Sequence, residues 1–324
     1  MLSRRDALLG AAVAGVAAFV RRPTTLSAKA SQPATPVDFD VPAGACDCHT
    51  HIFGDSRRFS FTPSRAYTPE TASIEEMRAL HRTLHTDRVV IVQPSVYGTD
   101  NACTLDAIRQ LGSDARGVAV IDDKTPDAAL DKMARGGIRG IRVNLEAAGL
   151  TDPAAGRRRL QAAIQRVKSR TWHVQVYTRL SVIKGLEDQV LASPIPIVFD
   201  HFGGAEASLG VRQPGFDALL NLVRTGHAYV KVSGAYRSST QLPDYADVAP
   251  LAKALIAANP QQVLWGTDWP HPDSSPVTGR KPTDVAPLLP IDDGRVFNQL
   301  ATWAPDATER RMILVDNPAR LYGF

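Results

Sequence analysis

Between residues 45 and 266, short apolar runs alternate with longer stretches in which apolar residues recur every three to four positions. The runs are Ala45–Cys48, Arg88–Gln93, Gly117–Ile121, Gly140–Val143, His173–Tyr177, Ile195–Phe199, Ala228–Val232 and Gln262–Trp265. They are short and rich in Val and Ile, as strands buried on both faces are. The stretches with helical period are Ser73–His85, Thr104–Leu111, Asp127–Ala134, Pro153–Lys168, Ser181–Leu191, Gly215–Arg224 and Tyr245–Ala258. Their starts carry local signals. Ser73 and Glu76 have the spacing of a capping box, and Thr125-Pro126 and Asp152-Pro153 put a proline just inside a helix. Eight strands alternating with helices predict a parallel α/β fold, a TIM (β/α)8 barrel spanning 44–324. An open doubly wound sheet is the alternative, but no Gly-rich dinucleotide fingerprint follows the first strand. Ser274–Pro290, rich in Pro and Ser, reads as a long loop after the last strand.

A barrel predicts that polar residues at the C-terminal ends of its strands converge on one mouth. Those ends supply His49 and His51, Gln93, Asp122, Arg142 and Asn144, Tyr177, His201, Ser233 and Asp268. His49 and His51 are two residues apart, so on extended backbone both imidazoles face one side. Such a pair suits two ligands on one ion or two proton carriers beside one substrate. Other histidines read differently. His173 begins its strand and is expected low in the core. His271 is expected at the rim or in a structural role, and His81, His85 and His227 at the surface. Cys46 and Cys48 flank Asp47 and should face away from it as small buried hydrophobes. With Cys103 they make only three cysteines, too few for a disulfide framework.

The first thirty residues stand apart. Ser3-Arg4-Arg5-Asp6 opens an apolar run, Ala7–Val20, closed by Arg21-Arg22. This is the pattern of a twin-arginine signal peptide, and the run is short of the ~20 residues that span a bilayer. Ala28-Lys29-Ala30 fits small-x-small cleavage, which leaves Ser31 as the mature N-terminus. The expected partner is the twin-arginine export machinery, the expected location the periplasm, with no membrane anchor after cleavage. Residues 1–30 hold five Lys/Arg and one Asp, and that net +4 equals the formal charge of the whole chain. The mature protein is therefore near neutral and lacks the basic surface of a nucleic-acid binder. Residues 31–43, with three prolines, read as an extended linker or arm.

Five segments recur in order along the chain: D-C-H-T-H-I-F (Asp47–Phe53), G-I-R-G-I-R-V-N-L (Gly137–Leu145), V-F-D-H-F-G-G (Val198–Gly204), V-K-V-S-G-A-Y-R (Val230–Arg237) and W-G-T-D-W-P-H-P (Trp265–Pro272). In these the chain resembles the amidohydrolase superfamily, and within it the branch of 2-pyrone-4,6-dicarboxylate lactonase, 4-sulfomuconolactonase and sugar-acid lactonases. The resemblance implies a distorted barrel that hydrolyses a small acidic lactone. It implies that Asp268 handles the proton of the attacking water and that His49, His51 and His201 hold a metal or polarise the carbonyl. It also implies that Tyr177, Arg142 and Arg237 contact substrate, beside Asn144 and Ser233 at neighbouring strand ends. Ala148 stands where the dicarboxylate lactonase has a second arginine, and Glu146 is nearby, which disfavours that particular substrate. The lysine and histidine that build binuclear centres elsewhere in the superfamily are replaced by Arg142 or Asn144 and by Tyr177. The ligand set left, His49, His51, His201 and Asp268, suits one divalent metal such as zinc. A metal-free route, with the histidines donating to the oxyanion, fits the same residues. Alternatives on this scaffold are a sugar-lactone isomerase, an aromatic-acid decarboxylase and a non-catalytic periplasmic binding protein.

Overall fold

The computed structural model describes residues 30–275 and 277–324, so the leader through Lys29, with Arg4 and Arg5, lies outside the described residues. Eight strands form one parallel sheet: β1 (Cys46–Thr50), β2 (Arg88–Val92), β3 (Ala115–Ala119), β4 (Ile138–Asn144), β5 (His173–Tyr177), β6 (Ile197–Phe199), β7 (Ala228–Ser233) and β8 (Val263–Gly266). Each pairs with the next in chain order. The sheet closes on itself beyond β8. Asp268 N donates to His49 O at 2.8 Å and His51 N to Trp269 O at 2.8 Å, with a parallel bridge from Thr50 to Trp269. This is the expected TIM barrel.

The helices follow the predicted order: α1 (Ile74–Leu84), α2 (Ala102–Leu111), α3 (Asp127–Arg135), α4 (Pro153–Val167), α5 (Leu180–Leu191), α6 (Phe216–Arg224) and α7 (Ala249–Ala258). The capping box at Ser73 forms in both directions, and Asp152 caps α4 ahead of Pro153. α3 starts at Asp127, as the periodicity predicts, but Pro126 is its cap rather than a residue just inside it. After the barrel come α8 (Asp293–Trp303), a short helix Ala307–Arg311, a π turn Met312–Asp316 and a last helix Asn317–Tyr322, none of which the periodicity singled out. No described helix is long and apolar enough to cross a membrane.

Two apolar layers result. Cys46, Cys48, Val90, Val92, Val118, Val198, Tyr229 and Leu264 form the interior of the barrel, closed below by Leu321 and Tyr322. This fits alternate strand residues filling a barrel core in layers, and it puts the two cysteines where alternation placed them. Outward-facing residues such as Val89, Ile91 and Ile141 pack against the helices. His173 is buried low in the barrel, its ring edge-on to Tyr322 at 5.2 Å.

Residues 31–43 lie along the body as an arm without regular structure. Asp292 accepts from Thr35 N and Oγ1 at 3.1 and 2.6 Å, Asn298 Nδ2 donates to Pro36 O, and Trp269 Nε1 donates to Ser31 O at 3.0 Å. The long loop after β8 is pinned as well, since Val285–Ala286 pairs with Thr68–Pro69.

Candidate active site

The site begins with a fault in β1. Asp47 pairs with Val89 but Thr50 with Ile91, so β1 has one residue more than β2 across this step. Such a bulge re-aims side chains next to functional sites. Asp47 turns outward, where it accepts from Thr267 Oγ1 at 2.6 Å, Thr267 N at 3.0 Å and His81 Nε2 at 3.3 Å. His81 is therefore a buried partner of Asp47, which corrects its assignment to the surface; the helix face it occupies looks inward. His85 and His227 are exposed as expected. His49 and His51, beyond the bulge, point into the mouth with ring centroids 5.1 Å apart.

Strand ends β6 and β8 supply the rest through strained backbone. His201 and Asp268 have φ of 47° and 65°, left-handed values uncommon for non-glycine residues and concentrated at functional sites. His201 lies 4.6 Å from His49, ring to ring. Asp268 Oδ1 is 3.3 Å from His51 Nε2, 3.6 Å from His49 Nε2 and 3.9 Å from His201 Nε2. Its other oxygen is occupied: Oδ2 accepts from Arg237 Nε at 2.5 Å and Tyr236 Oη at 2.7 Å. One carboxylate oxygen is thus tied down, and the other faces three imidazoles.

The electrostatics follow from burial. Desolvation works against the Asp268 carboxylate, but Arg237 and then His201 outweigh it and hold the pKa well below the usual range. Burial pushes His201 down to about 4. Burial, then the charge of Lys231, lowers His49 well below the ordinary histidine value. Both rings are neutral near pH 7. Tyr236 is pushed far up by burial, so its hydroxyl remains a donor.

These groups fit a single divalent cation. Ligand atoms of His49, His201 and Asp268 all lie within 4.8 Å of one another, and Asp268 Oδ1 is 3.6 and 3.9 Å from the two Nε2 atoms, a little wider than the ~3.4 Å spacing implied by tetrahedral bonds of about 2.1 Å. His49 Nε2 and Asp268 Oδ1 are buried with no hydrogen bond. The remote nitrogens are anchored in the manner of metal-bound histidines. His51 Nδ1 is 2.8 Å from Val92 O, and His201 Nδ1 is 3.0 Å from Ser233 Oγ. His51 stands outside the tight trio and reaches the centre through Asp268.

The other expected residues divide. Tyr177 is in the mouth, its ring 5.0 Å from His201, with the Arg142 and Arg237 guanidiniums 5.5 and 6.0 Å from its centroid. Ser233 supports His201. Both arginines, expected as free anchors, are engaged: Arg237 with Asp268, and Arg142 Nε and Nη2 with Asp200 Oδ2 at 3.1 and 3.0 Å. Asn144 Oδ1 caps a turn at Ala147 N, and Gln93 binds Gly98 O and Asp100 O. Asp122 lies with Gln93, Arg142 and Asn144 in the wall of one cavity, exposed, and bonds within its own turn to Thr125 and Lys124. His271 is structural, held 2.9 Å from buried Asp293. Glu146 is paired with Arg179 at 2.7 Å. A cavity of about 940 Å³ opens over the ends of β2 to β4 and against α4, with Arg142, Gln93, Asn144 and Ala148 in its wall but none of His49, His51, His201 or Asp268.

Three groups escaped the sequence reading. Tyr236 sits beside Arg237 on the turn after β7. Gln175 and Lys231 point into the barrel beneath His49, and Lys231 had a signal: it alternates with Ser233 on the same strand face.

Comparison with known proteins agrees with this geometry. The amidohydrolase family profile matches residues 46–324. A 4-sulfomuconolactone hydrolase from Hydrogenophaga intermedia is 36% identical over 296 residues, covering 89% of this chain and 91% of that protein. A 2-pyrone-4,6-dicarboxylate hydrolase from Comamonas testosteroni is 36% identical over 293 residues, 88% of this chain and 92% of that one. A structure from Acinetobacter baumannii, described as a 2-pyrone-4,6-dicarboxylic acid hydrolase with citric acid bound, superposes with a TM-score of 0.71 at 26% identity, covering 87% of this chain and 100% of its own. The chain belongs to the amidohydrolase family, on the branch whose relatives are lactone hydrolases.

Proposed function

We propose that the protein opens a small carboxylated lactone by attack of water on the ring ester, with Asp268 as the base. The observation that carries this reading is Asp268 Oδ1, a buried carboxylate oxygen without a hydrogen bond, facing the Nε2 atoms of three histidines. Water bonded to that oxygen loses its proton to it as the new C–O bond forms. The ring C–O bond then breaks, and the departing oxygen takes the proton back from Asp268, giving an open-chain acid. Arg237 and Tyr236 hold Oδ2 throughout, so the base keeps its orientation. Tyr177, whose burial raises its pKa, supplies a neutral hydroxyl at the mouth. Arg237 uses Nε on Asp268 and Nη1 only weakly, on Ser274 Oγ at 3.5 Å, so its outer edge can turn to a substrate carboxylate.

The acidic character of the substrate rests on these arginines and on the acidic lactones named for the two relatives. A divalent cation, zinc in our reading, would be held by His49, His201 and Asp268 with His51 adjoining. Bound there, it would act as a Lewis acid and lower the pKa of water towards neutrality. We also propose export: Arg4-Arg5 and the apolar run direct the folded protein to the periplasm, with Ser31 as the mature N-terminus. The test of function is a hydrolysis screen over carboxylated lactones and their neutral esters, with and without chelator. Turnover confined to the acids supports the reading; the absence of ring opening across the panel rejects it.

A further inference from the structure

Beneath His49 lies a layer of charge that the reaction above does not use. Lys231 is fully buried. Its Nζ is 2.9 Å from Cys48 O and 2.7 Å from Gln175 Oε1, and its remaining direction offers His49 Nδ1 at 3.3 Å and Asp200 Oδ1 at 3.6 Å. Asp200 is fully buried as well. Its Oδ2 accepts from Arg142 twice and from Gln175 Nε2 at 3.1 Å. Its Oδ1 has no conventional hydrogen bond among the described residues, yet lies 3.3 Å from His49 Nδ1.

We propose that Lys231 is a positioning residue: with Asp200 it fixes the proton of His49 on Nδ1 and presents a bare Nε2 to the centre. This rests on the proposed lactone-opening site. The protons available to this layer can be counted. Were Nδ1 bare, it would take the last proton of Lys231, and Asp200 Oδ1, a buried anionic oxygen, would have no donor. An unpaired buried charge of that kind is among the costliest defects a core can hold. With the proton on Nδ1, His49 turns its N–H towards Asp200 Oδ1, 3.3 Å away, and Lys231 faces the same oxygen as an ion pair at 3.6 Å. Arg142 and Lys231 together offset the single carboxylate, so Asp200 stays an acceptor without water. Gln175 locks the arrangement, because its Oε1 faces Lys231 and its Nε2 faces Asp200. His49 Nε2 is then the lone pair that a cation, or a proton in transit, would meet.

The test is ¹⁵N NMR of the ring nitrogens in the full chain after chelation, with zinc titrated back. In the wild type His49 should show a protonated Nδ1 and a bare Nε2. In Lys231→Gln that signature should become a mixture of tautomers, zinc affinity should fall about 10- to 100-fold, and kcat should fall with KM held. Lys231→Arg, which keeps the cation, should recover part of both losses. A wild-type His49 protonated on Nε2, or a folded Lys231→Gln protein with unchanged tautomer and zinc affinity, overturns the proposal. If Lys231→Gln does not fold, the wild-type spectrum decides alone. None of these readings needs a lactone, so a failed substrate screen and a failed tautomer assignment remain distinguishable.

Discussion

Arg237 grips Asp268 by one oxygen only: Nε lies 2.5 Å from Oδ2, while Oδ1 is turned towards the histidines. A residue expected to hold substrate thus also conditions the proposed base. The ion pair keeps the carboxylate ionised, the form that accepts a proton, and leaves one oxygen free to do so.

Asp268→Asn preserves size but removes the base. Because Arg237 and Tyr236 still have an oxygen to bind, the fold should persist. The kcat for an acidic lactone should fall by about 10²–10⁴, with the circular dichroism spectrum unchanged. Retention of more than about a tenth of wild-type kcat would falsify the role of Asp268.

Arg237→Met should act on two quantities at once. Losing the guanidinium relieves the main influence that lowers the Asp268 pKa, so the acid limb of the kcat/KM profile should move to higher pH. KM should also rise more for an acidic lactone than for its neutral ester. A pH profile that keeps its acid limb in place would show that the pair does not tune the base.

His173 makes acid stability measurable apart from catalysis. Burial, then the charge of Lys231, pushes its pKa down to about 3, against about 6.5 in an unfolded chain. The unfolded state therefore binds a proton first as pH falls. The contribution to stability is complete above about pH 6.5 and is lost progressively towards pH 3, on the order of 5 kcal/mol in all. Denaturant midpoints measured between pH 7 and 4.5 should drop less steeply in His173→Gln than in the wild type. Parallel slopes would mean that His173 is not the buried neutral group described.

Export is tested by changing Arg4 and Arg5 to lysine together. The expected result is full-length protein retained in the cytoplasm, read by fractionation and by mass spectrometry of the N-terminus. Mature protein beginning at Ser31 in the periplasm of that strain would remove the twin-arginine assignment.

Much of this was legible because two physical periods, two and three to four residues, alternate along the chain and leave few architectures open. The mouth residues were legible for a related reason: an apolar run that ends in His201 or in Gly-Thr-Asp268 has no packing explanation. What escaped depends on partners distant in sequence. Nothing local in Val230-Lys231-Val232 says that the lysine finds Cys48 O and Gln175. His81 looks like any polar residue on an amphipathic helix until Asp47 turns outward beneath it. The pairing of Arg142 with buried Asp200, 58 residues away, is equally invisible to any local pattern. Asp122 shows the converse, a polar strand end whose own turn satisfies it.

The seam that closes the barrel has a consequence for how activity arises and fails. Asp268 N bonds His49 O and His51 N bonds Trp269 O, so the reacting groups are stitched together by the contacts that join the first strand to the last. These are among the longest-range pairings in the chain, and such contacts are the costliest to form in folding. The centre therefore does not exist in any partly assembled barrel, however many of its strands have paired. Loss of catalysis and parting of the seam should be one event, and amide exchange at His51 and Asp268 should follow inactivation step for step.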